Sequence, residues 1–429
     1  MNASTKPLAI DIDHIIDSQR LNYFVVRLVA ISWLVTFCDG FDQNAIGFVA
    51  PYLKSAFALE NGALGPILAA GGAGALFGGL IFGWMGDRIG RRPAIITAVG
   101  LSGIFTLLLA LANRPWELLA VRFMSGIALG GALPLIWTLT IEYVPTRYRA
   151  TVVTLVMLGY GLGVFAAGPL SLALIPRHGW QSVFVCGGLA ALIAAVSVWR
   201  KLPESLRFRA HRERDWARKT PALSRWRELL PGRLFVGSLR WITPLLWIAF
   251  AASSMTMYFF VTWGPILFER AGLTRNTAFW SSSWNAVAGA VGAIAVMRFT
   301  DRLGPGSLVV MPLIALPLLI TVALAQMGPG GFVGMIAVLH VLLGGTHYGI
   351  QSVLGAYYPT GERARGAGWA ASIGKIGSVA GPMMGGWLLG SHMTSRSPFL
   401  VLALLPLVFA LAIVGIARVA RRGDLDGES

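Results

Sequence analysis

Apolar stretches of about 20 residues dominate this chain, and their length limits what it can fold into. Such a stretch is long enough for an α-helix to cross the ~30 Å hydrocarbon core of a bilayer. Twelve are recognised in the 429 residues, at 24–50, 63–86, 94–112, 115–141, 150–174, 180–199, 241–267, 277–299, 307–327, 331–354, 366–390 and 398–417. Only 13% of the residues are charged, whereas soluble proteins carry about 25%. The sequence therefore predicts an all-α membrane protein with twelve transmembrane helices.

Two short motifs occur twice in the chain. The segment 86–90 (Gly-Asp-Arg-Ile-Gly) recurs as 300–304 (Thr-Asp-Arg-Leu-Gly), and 143–146 (Tyr-Val-Pro-Thr) recurs as 357–360 (Tyr-Tyr-Pro-Thr). Both motifs recur at one and the same spacing along the chain, from position 86 to position 300, which we call the repeat spacing. A shared spacing indicates a parallel repeat of six helices, which places a substrate cavity between two bundles near the bilayer midplane.

The repeat and the basic stretch between its copies divide the chain into five predicted segments. These are an N-terminal segment (1–23), a first bundle (24–199), a basic linker (200–240), a second bundle (241–417) and a tail (418–429).

Basic residues indicate how the chain is oriented. With both termini in the cytoplasm, the inner segments together with the inner ends of the spans hold 27 of the 35 Lys and Arg residues, and the outer loops hold six. This bias agrees with the positive-inside rule and predicts a multi-pass protein of the cell inner membrane. The linker 200–240 is predicted to lie on anionic lipid rather than to bind nucleic acid. The N-terminal segment has no small-residue cleavage site after a short apolar core, so it is expected to be retained.

Several function classes find no support in the sequence. Cys38 and Cys186 both fall in predicted spans, so no disulfide framework is expected. No Walker loop and no hydrolase or zinc-protease motif is present. We therefore expect neither an enzyme nor an ATP-driven pump, and no cofactor or metal. A proton gradient would then supply the energy, and a monomer is expected.

Asp39 and Asp42 lie inside the first predicted span, one helical turn apart and on roughly the same face. A carboxylate at this depth costs at least ~2.5–3.5 kcal/mol, so such residues usually serve a function. Because a buried aspartate can take up a proton on one side and release it on the other, the pair is predicted to couple transport to protons.

Four further polar residues in the spans are predicted to contact a substrate. Arg122 in the fourth span lies at a depth similar to that of the aspartates, so it is expected either to pair with them or to hold an anion. Lys375 lies near the midplane of the second bundle and, as a second cation, suits an anionic substrate. His347, with Gln351 on the same helix face, is a candidate specificity residue. His340 is expected to be an ordinary buried histidine.

The residues around the repeated motif resemble those of the major facilitator superfamily. Segment 83–92 (Gly-Trp-Met-Gly-Asp-Arg-Ile-Gly-Arg-Arg) is similar to that family's signature between helices 2 and 3. The resemblance implies the twelve-helix fold with alternating access. It also implies an inner gate, whose residues would be Asp87, Arg88, Arg91, Arg92 and Glu142, with Asp301 and Arg302 in the second copy.

Within that family the chain resembles the aromatic acid:proton symporters that take up benzoate and 4-hydroxybenzoate. The matching stretches are Asp39-Gly40-Phe41-Asp42, Ile46 to Pro51, Arg122-Phe123, Leu129 to Pro134, Gly179 to Phe184, Leu202-Pro203-Glu204-Ser205, and Gly374-Lys375-Ile376-Gly377 with Gly381-Pro382. The resemblance implies that Asp39, Asp42, Arg122 and Glu142 matter for transport.

The chain also departs from that family at three places. These are Leu135 for Asn, Lys375 for Arg, and Thr346-His347 where small or amide residues are usual. Lys lacks the planar two-pronged grip of Arg on a carboxylate. The departures therefore favour an aryl carboxylate other than simple benzoate.

The resulting prediction is proton-coupled uptake of an aromatic carboxylate. Two alternatives stay open, a symporter of another organic anion and a proton-coupled exporter. Export is less favoured because the exporter pattern Gly-Pro-x-x-Gly-Gly is broken in helix 5, where Leu172-Ala173 follow Gly168-Pro169.

Overall fold

Long α-helices account for most of the described chain. The structure is a computed structural model that describes residues 22–206, 208, 231–353, 357–359, 362–391 and 398–425. The helices are α1 (Tyr23–Ala56), α2 (Asn61–Ile89), α3 (Arg91–Leu109), α4 (Pro115–Glu142), α5 (Arg149–His178), α6 (Gln181–Lys201), α7 (Leu239–Arg270), α8 (Arg275–Leu303), α9 (Val310–Leu324), α10 (Pro329–Val353), α11 (Arg363–Gly390) and α12 (Pro398–Leu425). Each predicted span overlaps one of them.

The structure supports a multi-pass membrane protein. Ten of its described helical stretches are long and apolar enough to cross a bilayer, and α8 and α11 are not among them. α8 carries the polar run Ser281-Ser282-Ser283-Trp284-Asn285, and α11 carries Lys375 and many glycines. The predicted count of twelve spans therefore stays a prediction. So does lipid contact by the basic linker, because most of residues 200–240 lie outside the described part of the chain.

The repeat seen in the sequence extends to helix packing. We refer to α1–α6 as the first half and α7–α12 as the second half. A Cβ atom on Gly130 of α4 would lie 2.6 Å from Ala75 Cα of α2, and a Cβ atom on Gly344 of α10 would lie 2.6 Å from Gly289 Cα of α8. Both members of the second pair follow those of the first by the repeat spacing. Small residues allow these backbones to approach so closely.

A second pair of helix contacts obeys the same spacing. A Cβ atom on Gly163 of α5 would lie 2.8 Å from Phe41 N of α1, and one on Gly377 of α11 would lie 2.6 Å from Met255 N of α7.

α2 and α8 also end alike, at Gly90 with φ 111° and at Gly304 with φ 79°. These two glycines are the last residues of the two copies of the first repeated motif. A positive φ favours glycine, so the repeated glycine has a backbone reason.

The halves meet at the end of the molecule opposite the chain termini, which we call the closed end. One continuous apolar cluster there includes residues of both halves. Phe48 of α1 packs against Phe279 of α8 with ring centroids 5.2 Å apart. Asn61 Nδ2 of α2 donates to the Leu389 carbonyl of α11 at 2.9 Å.

At the opposite, terminal end the apolar clusters of the described residues belong to one half or the other. Two of them contain first-half residues and one contains second-half residues. The described ion pairs at this end also join residues of the same half. Among the described residues, apolar packing thus joins the halves at the closed end, whereas each apolar cluster at the terminal end stays within one half.

Candidate functional site

Arg122 and Asp42 form a buried ion pair inside the first half, so the prediction that Arg122 meets the aspartates is confirmed for Asp42. Arg122 Nη1 of α4 donates to Asp42 Oδ2 of α1 at 2.6 Å, and the two side chains are 3% and 7% exposed. Arg122 Nη2 donates to the Asp42 carbonyl at 3.0 Å. Thr106 Oγ1 of α3 donates to Asp42 Oδ1 at 2.7 Å. Both carboxylate oxygens of Asp42 are therefore satisfied.

The guanidinium reaches Asp42 because α2 has no side chain in its way. A Cβ atom on Gly71 would lie 2.9 Å from Arg122 Nε and 3.3 Å from its Cζ. This glycine has a functional reason beyond helix packing, because it leaves space for a charged group.

Asp39 has a different environment, although it lies one helical turn before Asp42. It is 1% exposed. Its Oδ2 accepts a hydrogen bond from Gln43 Nε2 at 2.9 Å, whereas Oδ1 is buried without a partner. A small cavity with room for about one water molecule adjoins both carboxylates and is also lined by Ser102 and Thr106. Asp39 is thus the less well satisfied of the two.

Lys375 brings a positive charge from the second half towards this region. Its Nζ donates to the Ala75 carbonyl of α2 at 3.4 Å, across the boundary between the halves. A Cβ atom on Gly79 would lie 3.4 Å from the same ammonium nitrogen. Lys375 and Asp39 attract each other electrostatically. A single long hydrogen bond leaves the ammonium group able to bind an anion.

Three tyrosines from three helices complete the region around Asp39. Tyr160 of α5 and Tyr258 of α7 lie within electrostatic range of Asp39, and both also lie near Tyr348 of α10. Sequence analysis did not assign Tyr258 a role. The repeat contains a signal for it, because Tyr258 follows Asn44 by the repeat spacing. Asn44 lies on the helix that carries Asp39 and is close to Tyr160.

The second half carries a neutral polar cluster around His347. Ser253 Oγ of α7 lies 3.3 Å from His347 Nδ1, and Gln351 Nε2 lies 3.2 Å from His347 Nε2. The imidazole stacks on Phe250 with centroids 5.8 Å apart and an angle of 18°. His340 is separate from this cluster, because its Nδ1 bonds the Ile336 carbonyl at 3.0 Å within α10.

The predicted gate residues divide into a bonded set and an exposed set. Arg91 forms an ion pair with Glu142, and Ser205 Oγ donates to Glu142 Oε2 at 2.6 Å. Arg92 Nη2 donates to the Trp199 carbonyl at 2.5 Å. Asp87, Arg88, Asp301 and Arg302 are exposed side chains.

Glu204 has a role in the structure that the sequence did not predict. Its Oε1 accepts from the backbone N–H groups of Arg91 at 2.9 Å and Arg92 at 3.1 Å. It therefore caps the start of α3, where unbonded backbone donors need acceptors. Its position directly after α6, on the same side of the molecule, is the signal that was available.

Comparisons with known proteins agree with this architecture. The family model described as "Major Facilitator Superfamily" matches residues 32–347. A "Gallate transporter" of Pseudomonas putida is 32% identical, with 94% of each chain covered. The "4-hydroxybenzoate transporter PcaK" of Pseudomonas aeruginosa is 31% identical over 99% of this chain and 100% of its own. A crystal structure of a bacterial homolog of the human lysosomal transporter Spinster, 17% identical, matches 94% of this chain and 98% of its own with a TM-score of 0.70.

Proposed function

Since this chain belongs to the major facilitator superfamily, whose fold and named members are those of transporters, we propose that it takes up an aromatic carboxylate together with protons. Relatives that cover nearly its whole length are named for gallate and 4-hydroxybenzoate, which are both aromatic carboxylates. The observation that carries the proposal is Asp39, a buried carboxylate with an unpartnered oxygen, close to a lysine of the opposite half.

Asp39 is the proposed proton carrier. An unpaired carboxylate buried in a membrane protein costs free energy, and proton binding removes that cost. Asp42 is less suited to this step, because Arg122 and Thr106 satisfy both of its oxygens. We assign Asp42 and Arg122 to the fixed framework that positions α1 against α3 and α4.

Lys375 is the proposed contact for the substrate carboxylate. It carries a positive charge at the boundary between the halves and makes one hydrogen bond of 3.4 Å. A carboxylate would form a shorter, charge-assisted hydrogen bond with the ammonium group. A bound anion would also draw Lys375 away from Asp39, which favours protonation of Asp39 and thus couples the two ligands.

The proposed topology has twelve spans, with both termini in the cytoplasm. The protein is proposed to lie in the inner membrane as a monomer. The bias of Lys and Arg supports this orientation. The closed end, where the apolar cluster joins the halves, would then face the outside, which is the arrangement expected of an inward-facing state. The bonds of Arg91, Glu142 and Glu204 would hold the inner ends of α3 and α4 and the chain after α6 together as the first half moves.

Uptake into proteoliposomes tests the proposal. Labelled 4-hydroxybenzoate is supplied with and without an inward proton gradient, in competition with aryl and aliphatic acids. We expect accumulation that requires the gradient and that only aryl acids inhibit. Uptake that is independent of the gradient would contradict proton coupling, and inhibition by aliphatic acids would contradict the substrate class.

Lys375→Gln tests the anion contact in the same assay. We expect the KM for 4-hydroxybenzoate to rise about tenfold or more, because a charge-assisted hydrogen bond is worth about 1.5–3 kcal/mol. Lys54→Gln is the matched control, because Lys54 lies near the end of α1 at the closed end. An unchanged KM in Lys375→Gln would remove Lys375 from the site.

A further inference from the structure

The hydrogen bonds around His347 have a defined direction. Ser253 Oγ lies 3.0 Å from the Phe250 carbonyl, which can only accept, so the hydroxyl donates its single hydrogen there. Ser253 must then accept from His347 Nδ1 at 3.3 Å. The proton of the imidazole is therefore on Nδ1.

This direction fixes the orientation of the Gln351 side chain. His347 is buried between Ser253 and the Phe250 ring, so the neutral imidazole with one N–H group is the stable form. Its Nε2 carries a lone pair and accepts a hydrogen bond from Gln351 Nε2 at 3.2 Å. The amide oxygen Oε1 of Gln351 points away from the imidazole, and no described residue donates to it.

Gln351 is accessible and lies on the part of α10 that carries Tyr348. Its side chain is exposed, unlike that of His347. Tyr348 lies three residues earlier, on an adjacent part of the same helix surface, and belongs to the tyrosine group around Asp39. The second half thus presents an oriented hydrogen-bond acceptor near the proposed substrate site.

We propose that Gln351 is a specificity-determining residue whose Oε1 accepts a hydrogen bond from a ring hydroxyl of the substrate, and that His347 is the positioning residue that orients it. This assignment rests on the proposed function. It identifies the substrate as a hydroxylated aryl carboxylate, with the carboxylate at Lys375 and the hydroxyl at Gln351. An acceptor without a donor discriminates against an aryl acid that has no hydroxyl, because the contact is then lost.

The repeat supports different roles for the two halves, with proton binding in the first half and recognition of the substrate ring in the second half. Ser253 follows Asp39 by the repeat spacing, so both residues occupy the same position in their halves. In the first half that position carries an incompletely bonded carboxylate, and in the second half it carries a hydroxyl that anchors a neutral chain. The same position of the repeat therefore binds the proton in the first half, through Asp39, and helps to recognise the substrate ring in the second half, through Ser253.

Uptake kinetics with two substrates test the role of Gln351. KM is measured for 4-hydroxybenzoate and for benzoate in the parent protein and in Gln351→Leu. We expect the parent to prefer 4-hydroxybenzoate, and the variant to lose about two- to tenfold of that preference, as for one neutral hydrogen bond. Asn276→Leu is the control, because it replaces an exposed amide at the closed end and should keep the parent's ratio.

His347→Phe tests positioning, because phenylalanine can keep the stacking on Phe250 without ring nitrogens. We expect the same loss of preference through KM, whereas a merely structural defect would lower the maximal rate for both acids alike. An unchanged KM ratio in Gln351→Leu, or a parent without preference for the hydroxylated acid, would overturn the inference alone. A parent that transports neither acid would instead contradict the proposed function on which it rests.

Discussion

The two halves of this molecule share their helix packing but not their chemistry. Close helix contacts recur at the repeat spacing, in α2 against α4 and α8 against α10, and again in α1 against α5 and α7 against α11. At the same spacing, the charged residues Asp39, Asp42 and Arg122 are replaced by Ser253, Thr256 and Ile336. Backbone approach is therefore what the repeat preserves, whereas this buried charged set is confined to the first half.

The difference has a physical basis. Every buried ionic group needs a partner or a proton, so a second copy of the charged set would add cost without adding a second coupling site. Glycines at helix crossings carry no such cost and are needed wherever the crossing geometry is the same. Substitutions that copy one half into the other therefore separate packing from chemistry.

A first test fills the helix contacts that the two halves share. A Cβ atom on Gly78 would lie 2.8 Å from the Ile127 carbonyl carbon, and one on Gly292 would lie 2.7 Å from that of Val341. We expect Gly78→Ala and Gly292→Ala to destabilise the protein by similar amounts, about 1–3 kcal/mol or more, because the clash is with backbone. Thermal unfolding in detergent measures this. Gly334→Ala is the control and should be tolerated, because no atom lies within 4 Å of the added Cβ. Strongly unequal losses of stability in Gly78→Ala and Gly292→Ala would contradict the view that the two halves share their helix packing.

A second test concerns the buried ion pair. Arg122→Ile alone leaves Asp42 buried without its cation and is expected to cost about 3–5 kcal/mol. The double substitution Asp42→Thr with Arg122→Ile copies the second half, and we expect it to recover most of that stability. A double-mutant cycle of thermal unfolding measures the coupling. If the single and double variants were equally destabilised, the pair would not act as a unit.

The smallest effect on stability is expected at Asp39. Asp39→Ser copies the second half and removes a carboxylate that lacks a full set of partners, so we expect a change within about 1 kcal/mol or a slight gain. Accumulation driven by the proton gradient should nevertheless be lost, while exchange of labelled for unlabelled substrate continues. Retained gradient-driven accumulation would move the proton site away from Asp39.

Much of the fold was accessible from the sequence, because apolar length and the repeat spacing report directly on helices and on their duplication. The site was only partly accessible. Depth along the helices placed Arg122 level with both aspartates, but helix rotation decides that it bonds Asp42 and not Asp39. Rotation likewise brings Tyr258 towards Asp39, and the fold of the chain after α6 brings Glu204 onto α3. Such relations depend on three-dimensional packing that periodicity does not encode.

The apolar cluster at the closed end has a thermal consequence. Any conformation that opens this end must separate Phe48 from Phe279 and expose apolar surface to water. Hydration of apolar surface raises the heat capacity, so the free-energy difference between the two conformations must curve with temperature. A plot of the logarithm of the transport rate against inverse temperature should therefore bend, even where the lipid stays fluid throughout.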